Sequence, residues 1–429
     1  MRHKLLLLTL ALLVGGQIFS QEKMSLSLAQ ARDYAIEHNR TLKNASLDIQ
    51  KIEASRWQSI ATMLPQVNGA FDYANMLGHK LNFSGMDIAM PPNATFSLTS
   101  SVMLSAAQII GLQINSIAME MTDITLRKTE QQITNQVKTI YYSVLVMEQT
   151  VGLLQKNLEN LNKLQQHTLQ SVEVGIAEQT DADQISVQVA SMGNTVRSTK
   201  RSLEMLYNSM RLQLGVDADT EIQLTQSVEE LMNFEKAMSL IGEQFILDNN
   251  FNYQLLKQNI TLIEKQVDIK KWAYLPSISA FHQFSKKEYF SDEPTFDMTP
   301  PNMIGVSLNV PVFSSGSRYR AVTEAKIEHQ KQLNVMADTK ESLAIQHRQL
   351  QYNLSTAFDG YDTQKKNIEV SQRVFNNISL KYQEGMASSL DVTNSGTNLI
   401  LAQSNYVQAL MELVTAQVAL EELLNNNIN

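Results

Sequence analysis

The chain has 429 residues, of which 43 % are hydrophobic and 18 % are charged, and its formal net charge is −8. This acidic balance argues against binding to nucleic acid, which requires a basic surface. The sequence contains no cysteine. Disulfides, thiol catalysis, thiolate metal sites and a lipid-modified N-terminal cysteine are therefore excluded.

A secretory signal peptide is predicted at residues 1–20. A basic start precedes the mainly apolar run Leu5–Val14, and Ser20 supplies a small residue at the exit. This order is typical of a signal peptide, and the run is too short to span a bilayer as a helix, which needs about 20 apolar residues. An amphipathic or core helix is the alternative interpretation. We expect cleavage near Ser20.

The mature chain is predicted to begin with a helix from Ser27 to about Met63. Ser27 and Gln30 form a capping-box pattern, and Pro65 follows the last turn. Apolar and polar residues then alternate in two runs, which is the period of a β-strand. We therefore predict a β-hairpin at about 66–105, with a loop at about 76–94 between its strands.

The second half of the chain repeats this order, with a β-hairpin predicted at about 277–312 and a loop at about 285–302. In all four strands the apolar residues share one face and the small or polar residues share the other. Strands between lipid and a wet lumen have this pattern. A half-buried sheet on a soluble core would give the same alternation, so the strands alone leave both interpretations open.

Two long helical hairpins are predicted. Both helices of the first hairpin carry the 4,3 spacing of coiled coils, and in the second hairpin the helix after the turn has apolar or small residues at the same heptad positions. The first long helix is expected from about Ser116 to Val172, which corresponds to about 85 Å at 1.5 Å per residue. In the second hairpin a helix is expected at about 318–382. The turns of the two hairpins are predicted near Gly175 and Gly385.

The same landmarks recur about 210 residues apart. Gly385 follows Gly175 by 385 − 175 = 210 positions, and Asp391 follows Asp181 by the same interval. A period this long is not that of a solenoid and indicates a duplicated half. The predicted segments are a signal peptide (1–20), a first repeat (21–215), an equatorial insert (216–250) and a second repeat (251–429). The predicted fold class is mainly α with a small β part.

Four strands cannot close a membrane barrel, because such barrels begin at eight strands. An open sheet with an apolar face would leave two unpaired edges. We therefore expect several chains to contribute strands to one barrel.

The chain resembles the TolC-like outer membrane efflux proteins along its whole mature length. The resemblance rests on the opening LSLAQARDYAIEHN, on MLPQV and YLPSI, on LNVPVFSSGSRYRAV and on the two hairpin tips. It implies a homotrimer with four transmembrane strands per chain in a 12-stranded barrel, placed in the outer membrane of a Gram-negative bacterium. Antiparallel coiled-coil helices would form an α-barrel in the periplasm. The implied role is a passive exit duct served by an inner-membrane transporter and a periplasmic adaptor.

The resemblance also assigns roles to the hairpin tips. It implies that they meet the hairpin of the adaptor, with contact residues Val174, Gly175, Ile176, Gly385 and Met386. A helix C-cap is the structural interpretation of both glycines, and the two interpretations are compatible.

An entrance lock is implied for Thr180, Asp181 and Tyr382, although Ala387 stands where the family has the lock's arginine. Asp391 and Asn394 match the pore constriction, where the family has two aspartates. Three copies of Asp391 would form a carboxylate ring that favours cations and could bind a divalent ion. The alternative interpretation is that Asp181 and Asp391 are N-caps of the returning helices.

No catalytic motif is present. The seven histidines have no metal spacing, and neither a nucleophile elbow nor a phosphate-binding glycine loop occurs. We therefore expect no enzyme activity, no cofactor and no confident metal site. The competing function is that of a periplasmic adaptor-like or structural coiled-coil protein without a membrane barrel.

Overall fold

A computed structural model describes residues 23–77, 79–83, 85–89, 91–231, 234–291 and 300–425. The predicted signal peptide and its cleavage site lie outside these residues, as do parts of both predicted strand-connecting loops. The fold is mainly helical with a small β part, which confirms the predicted class.

The first half of the chain contains β1 (Lys23–Leu26), α1 (Leu28–His38), α2 (Arg40–Ala61), β2 (Gln66–Ala74), β3 (Lys80–Phe83), β4 (Met86–Ala89), β5 (Asn93–Leu104), α3 (Ala106–Glu173) and α4 (Gln179–Leu214). The connecting segment contains β6 (Glu221–Leu224), α5 (Val228–Leu231), α6 (Phe234–Ser239) and two 3-10 turns at Leu240–Gly242 and Leu247–Asn249. The second half contains α7 (Phe251–Trp272), β7 (Ser277–Tyr289), β8 (Asn302–Asn309), α8 (Ser317–Gln383) and α9 (Ser389–Leu424).

Two compact units make up the chain. The first contains the described parts of Met1–Asn44, Arg127–Asn250 and Ser342–Asn429. The second contains those of Ala45–Leu126 and Phe251–Glu341. The hairpin tips therefore belong to the first unit and the four predicted strands to the second.

The second unit contains an antiparallel sheet of four strands in the order β2-β5-β7-β8. Directly paired residues project on the same side of a sheet, and one such row is Val67, Ser100, His282 and Ile304. The register therefore places most large apolar side chains on one face: Val67, Phe71, Tyr73, Phe96, Leu98, Val102, Leu104, Ile278, Phe284, Ile304, Val306 and Leu308. The opposite face is dominated by Ser, Thr, Asn, Ala and Gly.

The apolar face of this sheet is open at both edge strands. All nine side chains of β2 are exposed, and Ile304 in β8 is 82 % exposed. Such a contiguous exposed apolar surface marks a binding or membrane surface rather than a finished soluble core.

The opening helix differs from the prediction because it is broken at Asn39. Asn39 has an extended backbone (φ −60°, ψ 128°), and its side-chain oxygen accepts hydrogen bonds from the backbone N–H groups of Thr41 (2.8 Å) and Leu42 (3.3 Å). Its side-chain nitrogen donates to the Gln213 carbonyl at 2.7 Å. The buried asparagine therefore starts α2 as an N-cap and fastens the break to α4.

Three further boundaries differ from the sequence-based ones. A small antiparallel pair, β3 with β4, lies within the predicted loop 76–94. β7 continues to Tyr289, beyond the predicted loop start at residue 285, because it stays paired with β5 as far as Asn93. The long helix α3 begins at Ala106, ten positions before its predicted start.

The core of the first unit follows the predicted heptad seams. Val137, Val144 and Leu161 in α3 are buried, as are Ile185 and Met192 in α4. This periodic burial confirms that the 4,3 spacing marks the packed face of each helix.

A buried ion pair joins α3 to α9 within this core. Lys138 Nζ lies 2.6 Å from Glu421 Oε2, and Gln417 donates a hydrogen bond to the other carboxylate oxygen at 2.8 Å. Burial, followed by the negative charge of Glu421, raises the pKa of Tyr142 to about 12. With Lys138 on one side and Gln417 on the other, both oxygens of the Glu421 carboxylate are hydrogen-bonded, as a buried charge requires.

Candidate functional site at the helical hairpin tips

The first tip joins α3 to α4 through a Schellman motif. Gly175 has a φ of +77°, its N–H donates to the Val172 carbonyl at 3.0 Å, and the Ile176 N–H donates to the Ser171 carbonyl at 2.8 Å. These two bonds satisfy carbonyls that the end of a helix leaves unpaired. Glycine is required by the left-handed backbone, which L side chains rarely adopt.

The second tip, between α8 and α9, has the same geometry. Gly385 has a φ of +72°, its N–H donates to the Tyr382 carbonyl at 3.0 Å, and the Met386 N–H donates to the Lys381 carbonyl at 2.7 Å. A Cβ atom at either tip glycine would meet no atom within 4 Å. Conformation, rather than crowding, therefore selects glycine at both positions.

Apolar side chains project into solvent beside both glycines. Val174 is 70 % exposed, Ile176 is 81 % exposed and Met386 is 70 % exposed. With the two glycines, these are the residues for which the family resemblance implies adaptor contact, which stays a prediction. The backbone turn holds them outward, because the glycine reverses the chain before the next helix begins.

Both returning helices begin with an aspartate in the third helical position. The N-cap residues are Glu178 and Ser388, so the interpretation of Asp181 and Asp391 as N-caps is wrong. Asp391 instead accepts hydrogen bonds from the Ser388 backbone N–H at 2.9 Å and from the Ser388 hydroxyl at 2.7 Å. These two bonds, the backbone one first, lower the pKa of Asp391.

Asp181 makes a different set of contacts. Its Oδ2 accepts a hydrogen bond from the Glu178 backbone N–H at 3.3 Å, while its Oδ1 accepts a short hydrogen bond from the Ser389 hydroxyl of the other tip. The Ser389 oxygen also lies 2.9 Å from Gln184 Oε1. Ser389, which is 3 % exposed, thus links the two tips within one chain.

The other predicted lock residues have partners of their own. The Thr180 hydroxyl donates to Glu178 Oε2 at 3.2 Å. The Tyr382 hydroxyl accepts a hydrogen bond from Thr168 Oγ1 at 3.2 Å, which joins α8 to α3. Ser389 and Thr168 were missed at the sequence level, since a single hydroxyl residue on a long helix gives no signal of a partner some 200 positions away.

The predicted constriction residues Asp391 and Asn394 both lie on an exposed face of α9. Exposed polar side chains continue along this face at helical spacing: Asn398, Asn405, Gln408, Glu412 and Thr415. The face of α9 opposite its buried residues is therefore mainly polar. Such a surface is suited to lining water.

Metal chemistry finds little support at the tips. Within the part of the chain that the structure describes, no three His, Cys, Asp or Glu side chains come together as a metal site. A carboxylate ring from several copies of Asp391 would lie between chains and therefore stays a prediction.

Comparison with known proteins identifies the family. Residues 31–215 and 244–426 match the sequence profile described as outer membrane efflux protein. The chain belongs to the outer membrane efflux protein family. Membership decides against the adaptor-like alternative and places the protein in the outer membrane, with its helical part in the periplasm. Family membership also makes a non-catalytic role the expected one for this protein.

Individual relatives agree with this assignment. The chain is 22 % identical over 428 residues to outer membrane efflux protein BepC of Brucella suis biovar 1, with 96 % of this chain and 89 % of that protein covered. The Campylobacter jejuni CmeC outer membrane channel has a TM-score of 0.74 at 15 % identity, covering 92 % of this chain and 85 % of that one. Vibrio cholerae VceC has a TM-score of 0.71 at 14 % identity, covering 94 % and 97 %. The two structures establish the fold.

Across the described residues, no helix is both long enough and apolar enough to span a bilayer.

Proposed function

We propose that three copies of this chain form the exit duct of a tripartite efflux or secretion system. The duct conducts passively what an inner-membrane transporter and a periplasmic adaptor deliver. Each chain supplies four strands to a 12-stranded barrel in the outer membrane, while the long helices of the three chains enclose water in the periplasm.

The observation that carries this proposal is the distribution of side chains on the four-stranded sheet. Most of its large apolar residues share one face, and the other face carries mainly small or polar residues. A barrel strand needs this arrangement, with an apolar surface towards lipid and a polar surface towards the lumen. A sheet on a soluble core would be expected to cover its apolar face, yet Ile304 and Val306 are exposed.

The edges of the sheet support assembly from several chains. Among the described residues, β2 pairs only with β5 and β8 only with β7, so each edge strand presents unpaired backbone groups. In lipid such groups must find partners. Pairing of β8 with β2 of the next copy satisfies both edges and closes the barrel.

The internal two-fold repeat is part of the same proposal. α4 and α9 each have 36 residues, and α2 and α7 each have 22. The family profile matches two stretches separated by residues 216–243, within the predicted insert. Because the duplication gives each chain two helical hairpins, three chains would supply six similar hairpins, which suits a tubular assembly.

The tips supply the regulated end of the duct. Val174, Ile176 and Met386 offer exposed apolar contacts to an adaptor hairpin. Asp391 and Asn394 line the constriction of the trimer, and the carboxylates favour cations there. Thr180, Asp181 and Tyr382 take part in closing the entrance.

Two substitutions on adjacent residues of β8 test the membrane assignment. Val306→Arg places a charge on the apolar face and should reduce outer-membrane assembly, because a lipid-facing arginine costs about 2–4 kcal/mol at the bilayer midplane. Ser307→Arg is the matched control. Residue 307 lies on the polar face, so an arginine there should be tolerated. Assembly is followed as heat-modifiable trimers in membrane fractions, and conduction in planar bilayers. A freely soluble monomeric mature product, or equal effects of both variants, would contradict the proposal.

A further inference from the structure

A large aromatic side chain, Phe281, lies on the polar face of the four-stranded sheet. The register pairs Phe281 of β7 with Ser101 of β5 on one side and with Gly305 of β8 on the other. Ser279 and Gln283 share this face with Phe281, because side chains two positions apart on a strand point the same way. Phe281 thus adds a bulky apolar ring to a surface that is dominated by small or polar groups.

The ring of Phe281 leans across β8 and covers Gly305. A Cβ atom built on Gly305 would come within 2.6 Å of both Cε1 and Cζ of Phe281. This is well inside the separation of about 3.5–4.0 Å that nonbonded carbon atoms favour. Gly305 is also half-buried, whereas all other residues of β8 are exposed. The outer half of the ring therefore occupies the space that a side chain at position 305 would need.

The neighbours of Phe281 on its other side leave the ring no second place against the sheet. Towards β5 the directly paired residue is Ser101, and the diagonal neighbours on the same face are Thr99 and Met103. Direct and diagonal neighbours lie within reach of an aromatic ring, and all three of these residues carry side chains. Gly305 alone leaves a gap beside the ring. A side chain at position 305 would therefore force the ring to stand away from the sheet.

We propose that Gly305 sets the width of the duct at this level of the barrel, by letting the ring of Phe281 lie against the wall. The polar face of the sheet lines the lumen in the proposed assembly, so each copy would present one such ring to the pore. Small barrels are filled by their own side chains, and wide ones leave an aqueous channel. In a barrel of intermediate size, the height of the inner side chains therefore limits the size of solute that passes. Gly305 is thus a positioning residue for Phe281, and the inference rests on the proposed function, because it requires a conducting barrel.

The substitution Gly305→Ala tests the close approach. It should lift the ring into the lumen and lower the single-channel conductance of the mature protein in planar bilayers about twofold, because a raised ring from each copy would narrow one level of the pore. The largest polyethylene glycol that enters the pore should become smaller in the same recordings. Gly69→Ala is the matched control. Gly69 lies in the same sheet on the apolar face, and the nearest neighbour of a Cβ atom there would be 3.9 Å away.

Removing the ring provides a second test that does not depend on crowding position 305. Phe281→Ala should leave the conductance nearly unchanged, because a ring that lies against the wall takes up little of the lumen. Phe281→Ala combined with Gly305→Ala should restore both the conductance and the polymer size limit of wild type. An alanine at position 305 acts only through the ring, so it has no effect on the pore once the ring is gone.

The outcomes separate this inference from the proposed function. A wild-type protein without trimers or conductance would refute the duct itself. If wild type conducts, the inference is overturned by an unchanged conductance and size limit in Gly305→Ala, or by a clear gain of conductance in Phe281→Ala. Overpacking can also prevent assembly, and if Gly305→Ala alone forms no heat-modifiable trimers, the double variant decides. Its recovery of trimers with wild-type conductance supports the inference, and its failure to assemble overturns it.

Discussion

The two hairpin tips share one way of ending a helix and differ in how they begin the next. Gly175 and Gly385 form the same Schellman motif, and Asp181 and Asp391 stand at the same position of the returning helices. However, Asp391 uses both Ser388 donors at 2.9 and 2.7 Å. Asp181 has one longer capping bond of 3.3 Å and directs its other oxygen to Ser389.

The comparison shows that two aspartates at equivalent positions can differ in their roles: one stabilises only its own helix start, and the other also contacts the neighbouring tip. Asp391 is occupied by its own helix start, which leaves its face of α9 free to meet solvent. Asp181 makes a longer hydrogen bond to its own helix start and also accepts one from the neighbouring tip. The two glycines, in contrast, are needed for the same reason, because each tip requires a residue with a left-handed backbone.

The largest expected effect tests whether the glycines are equivalent. Gly175→Ala and Gly385→Ala should each lower the free energy of unfolding by about 1–2 kcal/mol, because a left-handed backbone brings Cβ too close to the following carbonyl. Gly360→Ala is the control, since Gly360 lies inside α8 and alanine there should stabilise by up to about 1 kcal/mol. Thermal unfolding of the detergent-solubilised protein measures all three. A loss at one tip only would break the comparison.

The next effect tests the difference between the N-caps. Ser388→Ala should cost about 1 kcal/mol, because it removes the hydroxyl that accepts from the Asp391 N–H at 3.2 Å and donates to its carboxylate. Amide hydrogen exchange should rise in the first turn of α9 and stay unchanged in the first turn of α4. Equal exchange at both helix starts would mean that the cap is not local.

A smaller effect concerns the constriction. If Asp391 forms the proposed ring, Asp391→Asn should lower the preference for cations over anions about twofold, because the ring would lose its charge while water screens the original carboxylates. Asp183→Asn is the matched control, since Asp183 is exposed on α4 and lies outside the predicted ring. Reversal potentials in salt gradients provide the measurement. Unchanged selectivity in Asp391→Asn would contradict the assignment of Asp391 to the constriction.

Local features of the sequence were sufficient for much of the fold. The heptads fixed which faces of α3, α4 and α9 are buried, and the period-2 runs placed apolar residues on one side of the sheet. Gly175 and Gly385 were recognisable because a helix C-terminus needs a left-handed residue. The break at Asn39 was not recognised, since a polar residue within a helical pattern more often faces solvent than caps a second helix.

Contacts between distant segments were beyond the same reasoning. The pairing of β5 with β7 joins two predicted hairpins, and no local pattern specifies it. The Asp181–Ser389 contact spans 208 positions. The lock of Thr180, Asp181 and Tyr382 was implied by the family resemblance and stays a prediction. In the structure the Tyr382 hydroxyl is hydrogen-bonded to Thr168, because α8 packs beside α3 at this level.

The smallest effect appears only in acid. Hydrogen bonds from Ser388 hold the pKa of Asp391 below its usual 3.8, so the folded tip binds this proton less readily than the unfolded chain does. The resulting stabilisation of the α9 start is complete above that value and is lost as the pH falls through the lowered folded pKa. Amide exchange in the first turn of α9, corrected for intrinsic rates and followed from about pH 5 to about pH 2, should show this loss. Asp391→Asn should remove the pH dependence, because asparagine accepts the same bonds without titrating; its persistence in that variant would assign the effect to another group.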